Sequence, residues 1–488
     1  MNKPIAWTIA GSDSSSGAGL QTDLLTFHRF GLHGCSVMTA STAQNSHRVS
    51  DIQYASPEHL KAQLSVLKHE CRPNAIKIGM LGTPKNIDMI REFLHAYSGY
   101  IVFDPVFSAS CGGGLIAGPA RAYLDGLFQI FPYLHLLTPN IPEAECLSGF
   151  MIRSFEDMEA AAHKILSRGA GSVCIKGGHF ISDKWSQDYW TNGKESFWLA
   201  TPRYSDRNCR GTGCVFSSAV TACLALNYSL KDALVIAKMY ISNGIRLSTI
   251  SREPTWFVHG SWPEDQDDLP FLSASPLMEH PRSFLPCDPE TLGLYPVVDS
   301  AEWIGLLLSA GVKTVQLRCK DKQGVHLQNE IRHAVALARQ YEARLYINDF
   351  WEDAIAHQAY GVHLGQEDLN TADIDRIFSA GLRLGISTHC YYEVARAHAV
   401  QPSYIACGPI YPTTAKMMPF APQGIEQLKR WRRTLRRYPL VAIGGINEER
   451  MSEVLNTGVN GIAMISAITQ AENPERKTQQ LLSMVGKH

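Results

Sequence analysis

The run Gly211-Thr212-Gly213-Cys214, followed by the apolar stretch VFSSAVTACLAL, has the residue types of an anion cradle. Small residues leave backbone N–H groups bare at a helix N-terminus, and the helix dipole behind them favours negative charge. For a phosphoryl group in transit, such a cradle stabilises the charge that develops. Cys214 then falls in the first helical turn, where a thiol pKa is lowered, and a thiolate there can take the proton of an attacking hydroxyl. Taken alone, the tetrapeptide also fits a plain glycine turn before a core cysteine. Thr138-Pro139-Asn140-Ile141-Pro142-Glu143 sets an amide and a carboxylate three residues apart. Such hard oxygens suit Mg²⁺ carrying nucleotide phosphates. A helix start with Glu143 as its first-turn acid is the other reading. Lys176-Gly177-Gly178-His179 ends an apolar run with a cation and flexible glycines, as a phosphate contact needs. Residues 10–23, AGSDSSSGAGLQTD, end another with a long polar, glycine-rich loop.

A second group of polar residues lies downstream. Gln316, Arg318 and Lys320 alternate after one apolar run, and alternation predicts one shared face, suited to a pyrophosphate and a polar ring. Asn348-Asp349 closes the next run, and Asp368 follows the one after. Two acids on adjacent strand ends can share one Mg²⁺, although each alone reads equally as a surface cap. Gly444-Gly445 and Ser466 follow the last two runs, where backbone N–H groups can approach a phosphate.

The elements that must position these groups read as two α/β domains. In the front half, short apolar runs at 5–10, 75–78, 101–104, 134–138 and 173–176 alternate with helical periods such as 57–70 and 156–168. That pattern predicts a mostly parallel sheet covered by helices. Residues 252–290 lose all period and turn rich in proline and acids, which predicts a linker. Beyond it come eight apolar runs, at 294–298, 314–318, 344–347, 361–364, 383–386, 404–407, 440–443 and 461–465. Eight βα units are the count of a TIM barrel, and the polar residues fall at its C-terminal face, where barrel sites are built. The boundaries expected are 1–260, a linker at 261–290, and 291–488.

Composition narrows the partners. The 488 residues are 45% hydrophobic and 19% charged, with a formal net charge of -1. A balance this near neutrality gives no electrostatic footprint for nucleic acid or an anionic membrane. The one basic run, KRWRRTLRR at 429–437, reads as a solvated helix face. No apolar run reaches the roughly 18 residues of a membrane span, and the N-terminus lacks the features of a signal peptide. The 12 cysteines are scattered with no CxxC pair, which argues against a zinc site or a disulfide framework and for reduced thiols in the cytoplasm.

The front segments, taken in order, resemble the hydroxymethylpyrimidine/hydroxymethylpyrimidine-phosphate kinase family. They are AGSDSSSGAGLQTD, TAQN (42–45), KIGML (77–81), DPV (104–106), TPNIPEAE (138–145), IKGGH (175–179) and GTGC (211–214). The resemblance implies a ribokinase-like three-layer α/β/α fold and ATP as co-substrate. It implies Gln44 and Asp23 on the aminopyrimidine, with Gly11 and Met80 lining the pocket. It makes Cys214 the base, with Gly211, Thr212, Gly213 and Lys176 around the moving phosphate. Asn140 and Glu143 carry the nucleotide's Mg²⁺, and the kinase half is expected as a homo-oligomer, a dimer. Two departures stand out. The lysine usual after DPV is missing near Ala109, and Arg210 stands where histidine is common, keeping a cation near the cradle. A pyridoxal-type vitamin kinase, or an inactive scaffold or ligand-binding pseudo-kinase, is the alternative for this half.

The back segments resemble thiamine-phosphate synthase. They are QLRCK, INDFWEDA, GVHLGQEDL, LGISTH (384–389), GPIYPTTAK (408–416), VAIGGI (441–446) and MISAI (464–468). The resemblance implies a (β/α)8 barrel. It places Gln316, Arg318, Lys320 and Asn348 on the pyrimidine pyrophosphate and Mg²⁺ on Asp349 and Asp368. Ser387 and Lys416 meet the leaving pyrophosphate, and Thr413, Gly445, Ile465 and Ser466 meet the thiazole phosphate. Ala415 replaces a threonine of the family pattern, removing one hydroxyl from phosphate, worth about 1 kcal/mol. The two families implied act in one pathway on small molecules. The first makes the pyrimidine pyrophosphate that the second couples to thiazole phosphate.

Overall fold

The computed structural model describes residues 3–107, 114–179, 184–204, 209–248, 255–287, 292–413 and 421–486. The departure near Ala109 lies outside them, as do Ala415 and Lys416. The chain forms two compact units, Met1–Pro263 with Asp268–Glu279 and Glu264–Asp267 with His280–His488.

The first unit is built on a ten-stranded sheet among the described residues. Ile5–Asp13, His33–Gln44, Ala75–Ile78, Tyr100–Phe103, Leu136–Leu137 and Val173–Ile175 run parallel. Their apolar residues are buried on both faces, as expected of strands covered by helices on either side. Trp185–Thr191, Ser196–Pro202 and Phe271–Ser273 extend one edge antiparallel, and Val49–Tyr54 the other. The first strand lies between His33–Gln44 and Ala75–Ile78, so the strand order reverses beside it. The crevice outside the carboxyl ends of strands at such a reversal is where open α/β sheets bind ligands.

The stretch expected as a linker is divided. Phe271–Ser273 pairs with Ser196–Pro202 in the first unit's sheet, and Asp268 accepts from Asn243 and Arg246 there. Glu264–Asp267 belongs to the second unit, where it meets the basic run. Glu264 pairs with Arg430 and Arg433, and Asp267 with Arg436 and Arg437. The run is therefore not a free solvated face. Its helix, Gly424–Thr434, buries Leu428 and Trp431 and neutralises its outer arginines on those acids.

The second unit is a closed barrel of eight parallel strands. These are Gly293–Val298, Thr314–Leu317, Arg344–Asn348, Gly361–Leu364, Arg383–Thr388, Tyr404–Cys407, Leu440–Ile443 and Gly461–Met464. Each coincides with one of the eight apolar runs to within a residue or two. Tyr295, Tyr346, Tyr404, Val297, Val441 and Ala463 fill its interior, so the barrel is a packed core whose site must sit at the strand ends.

Candidate functional sites

The first unit holds a cleft of about 1020 Å³ at the carboxyl ends of its parallel strands. Gly11, Gln44, Met80, Asn140, Glu143, Lys176, Arg210 and Gly211–Cys214 all line it, from segments up to 200 residues apart in the chain. Gly11 brings backbone against Met80, since a Cβ there would lie 2.9 Å from the sulfur. Gly211 is left-handed at φ 78°, and a Cβ on it would fall 2.1 Å from the Gly17 carbonyl. Only glycine lets the polar loop close over the start of the helix Thr212–Ala225.

Asp23 does not line this cleft. Its carboxylate is fully buried and accepts from Thr8 (2.6 Å), Lys77 (2.8 Å) and Ser218 (2.7 Å). The resemblance assigned it to substrate; the structure uses it to aim Lys77, a cleft residue the sequence reading passed over as part of a strand. Burial works against the Lys77 charge, but Asp23, Cys214 and Asp104 outweigh it and raise its pKa. Asp23→Ala, which strands that charge, is expected to destabilise the first unit by about 3–5 kcal/mol. Chemical denaturation checks this, and a loss under about 1 kcal/mol contradicts the assignment.

Two further expectations need correction. Cys214 sits in the first turn as expected, but its pKa is not lowered. Burial pushes it up to about 11, Lys77 opposes, and Asp104 and Asp23 push it further. Desolvation of a thiol set among packed groups at the cleft floor outweighs the helix dipole. Asn140 and Glu143 form a capping box: Oδ1 of Asn140 accepts from the Glu143 N–H, and Oε2 of Glu143 from the Asn140 N–H. The amide oxygen of Asn140 is thus committed to the helix start and is not turned to a metal. Glu143 keeps Oε1 for the cleft. Burial raises its pKa to about 7, with Lys176 opposing and Asp104 adding.

Asp104, the first residue of the DPV segment, completes the charge pattern. It is buried, and its Oδ1 accepts from Lys176 (2.6 Å) and Thr138 (3.3 Å). Carboxylates and cations therefore alternate along the cleft floor as Glu143, Lys176, Asp104 and Lys77, with the Cys214 thiol beside them. Arg210 is the exception. It is 9% exposed, and among the described residues none of its three guanidinium nitrogens has a hydrogen-bond partner. A buried guanidinium without a partner is costly, and this one opens on the cleft one residue before the cradle glycine.

In the barrel, Asp349 and Asp368 come together as expected from the ends of adjacent strands. Asp349 is pushed up to about 6 by burial and by the neighbouring Asp368 carboxyl, with Arg318 opposing. Asp349 is left-handed at φ 65°. The Gly365 N–H donates to Asp368 Oδ2 at 3.0 Å, where a Cβ on Gly365 would lie 2.9 Å away. Two acids held close enough to repel fit a hard dication. Arg318 faces them half-buried, its own pKa lowered by burial.

Not all of the predicted face survives. The strand ends at Leu317, so alternation does not carry to Lys320, which is exposed in the following loop. Gln316 points inward and donates to the Tyr295 hydroxyl at 3.2 Å. That contact opens a chain unseen in the sequence. Tyr295 meets Tyr404 (2.8 Å), Tyr404 meets His363 Nδ1 (2.7 Å), and His363 Nε2 meets Ser387 Oγ (2.8 Å). His363 reads as a strand residue in GVHL, yet its inward register put an imidazole among barrel-core positions, which was the available signal. It joins two predicted substrate contacts, Gln316 and Ser387, into one hydrogen-bonded unit. Asn348 lies at its strand end, buried, beside Asp349.

Gly445, at φ 67°, packs its backbone on the 411–413 loop that carries Thr413, where a Cβ would meet the Pro412 carbonyl at 2.4 Å. Ser466 opens the short helix Ser466–Thr469 and is exposed, while the Ile465 side chain packs on the barrel core, leaving only its backbone for a ligand.

Comparison with known proteins gives two matches. The family model of phosphomethylpyrimidine kinase matches residues 13–255, and that of thiamine monophosphate synthase matches 294–468. The thiamine-phosphate synthase of Citrobacter koseri is 57% identical over 201 residues, 41% of this chain and 95% of its own. That of Cronobacter sakazakii is 58% identical over 198 residues, 41% and 94%. Among solved structures, a phosphomethylpyrimidine kinase from Clostridium difficile aligns at 36% identity over 50% of this chain and 100% of its own, with a TM-score of 0.44.

Proposed function

We propose how the residues divide the work in a chain that belongs to the phosphomethylpyrimidine kinase family in its first unit and the thiamine monophosphate synthase family in its second, and is a bifunctional transferase of thiamine biosynthesis. The first site phosphorylates hydroxymethylpyrimidine and then its monophosphate from ATP. The second couples the resulting pyrophosphate to thiazole phosphate, giving thiamine phosphate and pyrophosphate. The observation that carries the reading is the pair of constructed sites: a cation-lined cleft ending in a helix N-terminus, and a carboxylate pair facing Arg318 at the barrel's carboxyl end.

In the first site Gly11, Met80 and Gln44 hold the pyrimidine, and Gln44 offers the amide edge an aminopyrimidine can pair with. The substrate hydroxyl attacks the terminal phosphate of ATP, ADP leaves, and the hydroxyl proton passes to Sγ of the Cys214 thiolate, the minor form at neutral pH. Lys176 and the N–H groups of residues 212–214 face the charge on the moving group. Arg210 takes the remaining phosphate oxygens in its fork. Mg²⁺ fits the free oxygens of Glu143 and Asp104 here and the Asp349–Asp368 pair in the barrel; when bound, it neutralises phosphate charge. In the barrel, Arg318 and Lys320 draw charge from the departing pyrophosphate, aided by Ser387 and Lys416. Asn348 and Gln316 hold the pyrimidine while the thiazole nitrogen attacks the methylene carbon. Thr413 and the backbone of Gly445, Ile465 and Ser466 hold the thiazole phosphate.

Arg210→Ala is expected to raise the KM of the first site for its phosphorylated substrates about 10–100-fold, the loss of one charged bidentate contact, with little change in the unphosphorylated alcohol's KM. Equal KM values in variant and parent contradict it. Incubating the chain with hydroxymethylpyrimidine, Mg-ATP and thiazole phosphate, with mass detection of thiamine phosphate, tests the whole reading. Light scattering tests the dimer that the front-half resemblance implies.

A further inference from the structure

Far from the first unit's cleft, three soft donors meet at the other end of its sheet. His33 and Cys35 are two residues apart on His33–Gln44, and the strand's alternation puts them on one face. Cys71 follows the helix Pro57–Glu70 as its C-cap, fixed by its N–H to the Leu67 carbonyl and by the Trp7 indole N–H on its own carbonyl at 2.7 Å. The imidazole nitrogen and the two sulfurs all lie within 4.8 Å of one another. In a tetrahedral zinc site, bonds of about 2.0–2.3 Å put ligand atoms about 3.3–3.8 Å apart, so a small inward turn of these side chains completes three corners.

Burial is graded as such a site needs. Cys35 is buried, Cys71 is half-buried and His33 is exposed. The fourth corner opens to solvent, with Glu70 beside it in sequence. Thiolate and imidazole donors select zinc-class dications over Mg²⁺ or Ca²⁺. The sequence reading set zinc aside because no two cysteines stand close in the chain; the fold closes a gap of 36 residues that local spacing does not reveal.

We propose that His33, Cys35 and Cys71 bind one zinc-class dication, joining the second strand of the sheet to the end of the helix Pro57–Glu70. Binding deprotonates both thiols, so two protons leave per metal bound at neutral pH. The cluster does not serve the kinase cleft. The first strand pairs Ile5 with His33 at this end and reaches the cleft only at Gly11, about 20 Å farther along at 3.3 Å per residue.

The test uses the full-length chain, reduced with a phosphine and stripped with chelator, titrated with Co²⁺ and then displaced with Zn²⁺. The expected result is one equivalent of Co²⁺ with a thiolate-to-cobalt charge-transfer band, lost on adding Zn²⁺, and two protons released per ion in weak buffer. In Cys71→Ser the band falls by at least half. In His33→Ala, an exposed position whose loss leaves the fold and the kinase rate unchanged, the ion is held at least tenfold more weakly. No band in the parent chain overturns the proposal. So does a band of the same size and affinity in both variants, which would place the metal on other cysteines.

Discussion

Asp349→Asn is expected to cut thiamine phosphate formation from the preformed pyrimidine pyrophosphate about a thousandfold, while leaving ATP-dependent phosphorylation in the first unit intact. In the pair Asp349–Asp368 each carboxyl disfavours the other's charge, and loss of several kcal/mol of charge stabilisation on the leaving pyrophosphate corresponds to that factor. Asparagine is the informative replacement because it tolerates the left-handed backbone that Asp349 adopts; alanine there adds strain. Stability moves the opposite way. Folding raises the Asp349 pKa from an ordinary value near 3.8 to about 6, so the ionised group costs stability in the metal-free state. That cost is absent below pH ~3.8, grows between there and pH ~6, and is full above. Asp349→Asn therefore stabilises the metal-free second unit at pH 7 by about 1–2 kcal/mol, allowing for partial exposure. Mg²⁺ affinity of the parent falls as pH drops through 6. A variant both less active and less stable at neutral pH points to a merely structural carboxylate.

Cys214→Ala is expected to lower kcat for both phosphorylations about 10²–10⁴-fold, with KM for the pyrimidine changed less than threefold, the signature of a lost proton acceptor. The raised thiol adds a sign that can be checked. With a pKa of about 11, the thiolate fraction increases tenfold per pH unit through the neutral range. The parent rate should climb between pH 7 and 9, and the alanine variant should stay flat. Bound polyphosphate adds negative charge and does not lower the thiol, so the slope persists at saturating nucleotide. A loss below tenfold with an unchanged slope would leave catalysis to the backbone cradle of residues 211–214 alone.

How much of this was legible depends on how local each signal is. All eight barrel strands could be read because each is a short apolar run closed by a polar residue, and barrel strands buried on both sides need nothing else. In the first unit, the antiparallel strands Trp185–Thr191 and Ser196–Pro202 and the polar His33–Gln44 lack that uniform apolar character. Phe271–Ser273 is hidden in a stretch whose prolines and acids read as a linker, because what makes it a strand is its pairing with the distant Ser196–Pro202. The glycines of the cradle were legible because their spacing is local. The Asp23 assignment failed for the opposite reason: whether a carboxylate meets substrate or a buried lysine depends on Lys77 and Ser218, 54 and 195 residues away. Cys214 shows the same limit in its charge. Helix position is read from sequence, but the burial that reverses the expected shift belongs to the packed cleft.

The most direct test of two sites acting in succession is one coupled assay of the parent, Cys214→Ala and Asp349→Asn with hydroxymethylpyrimidine, Mg-ATP and thiazole phosphate, following every pyrimidine species by mass. The parent should form thiamine phosphate. Cys214→Ala should form none until the pyrimidine pyrophosphate is supplied, and Asp349→Asn should accumulate that pyrophosphate without consuming it. Thiamine phosphate from Cys214→Ala at the parent's rate, or failure of Asp349→Asn to accumulate the pyrophosphate, would contradict the assignment of the two steps to these two sites.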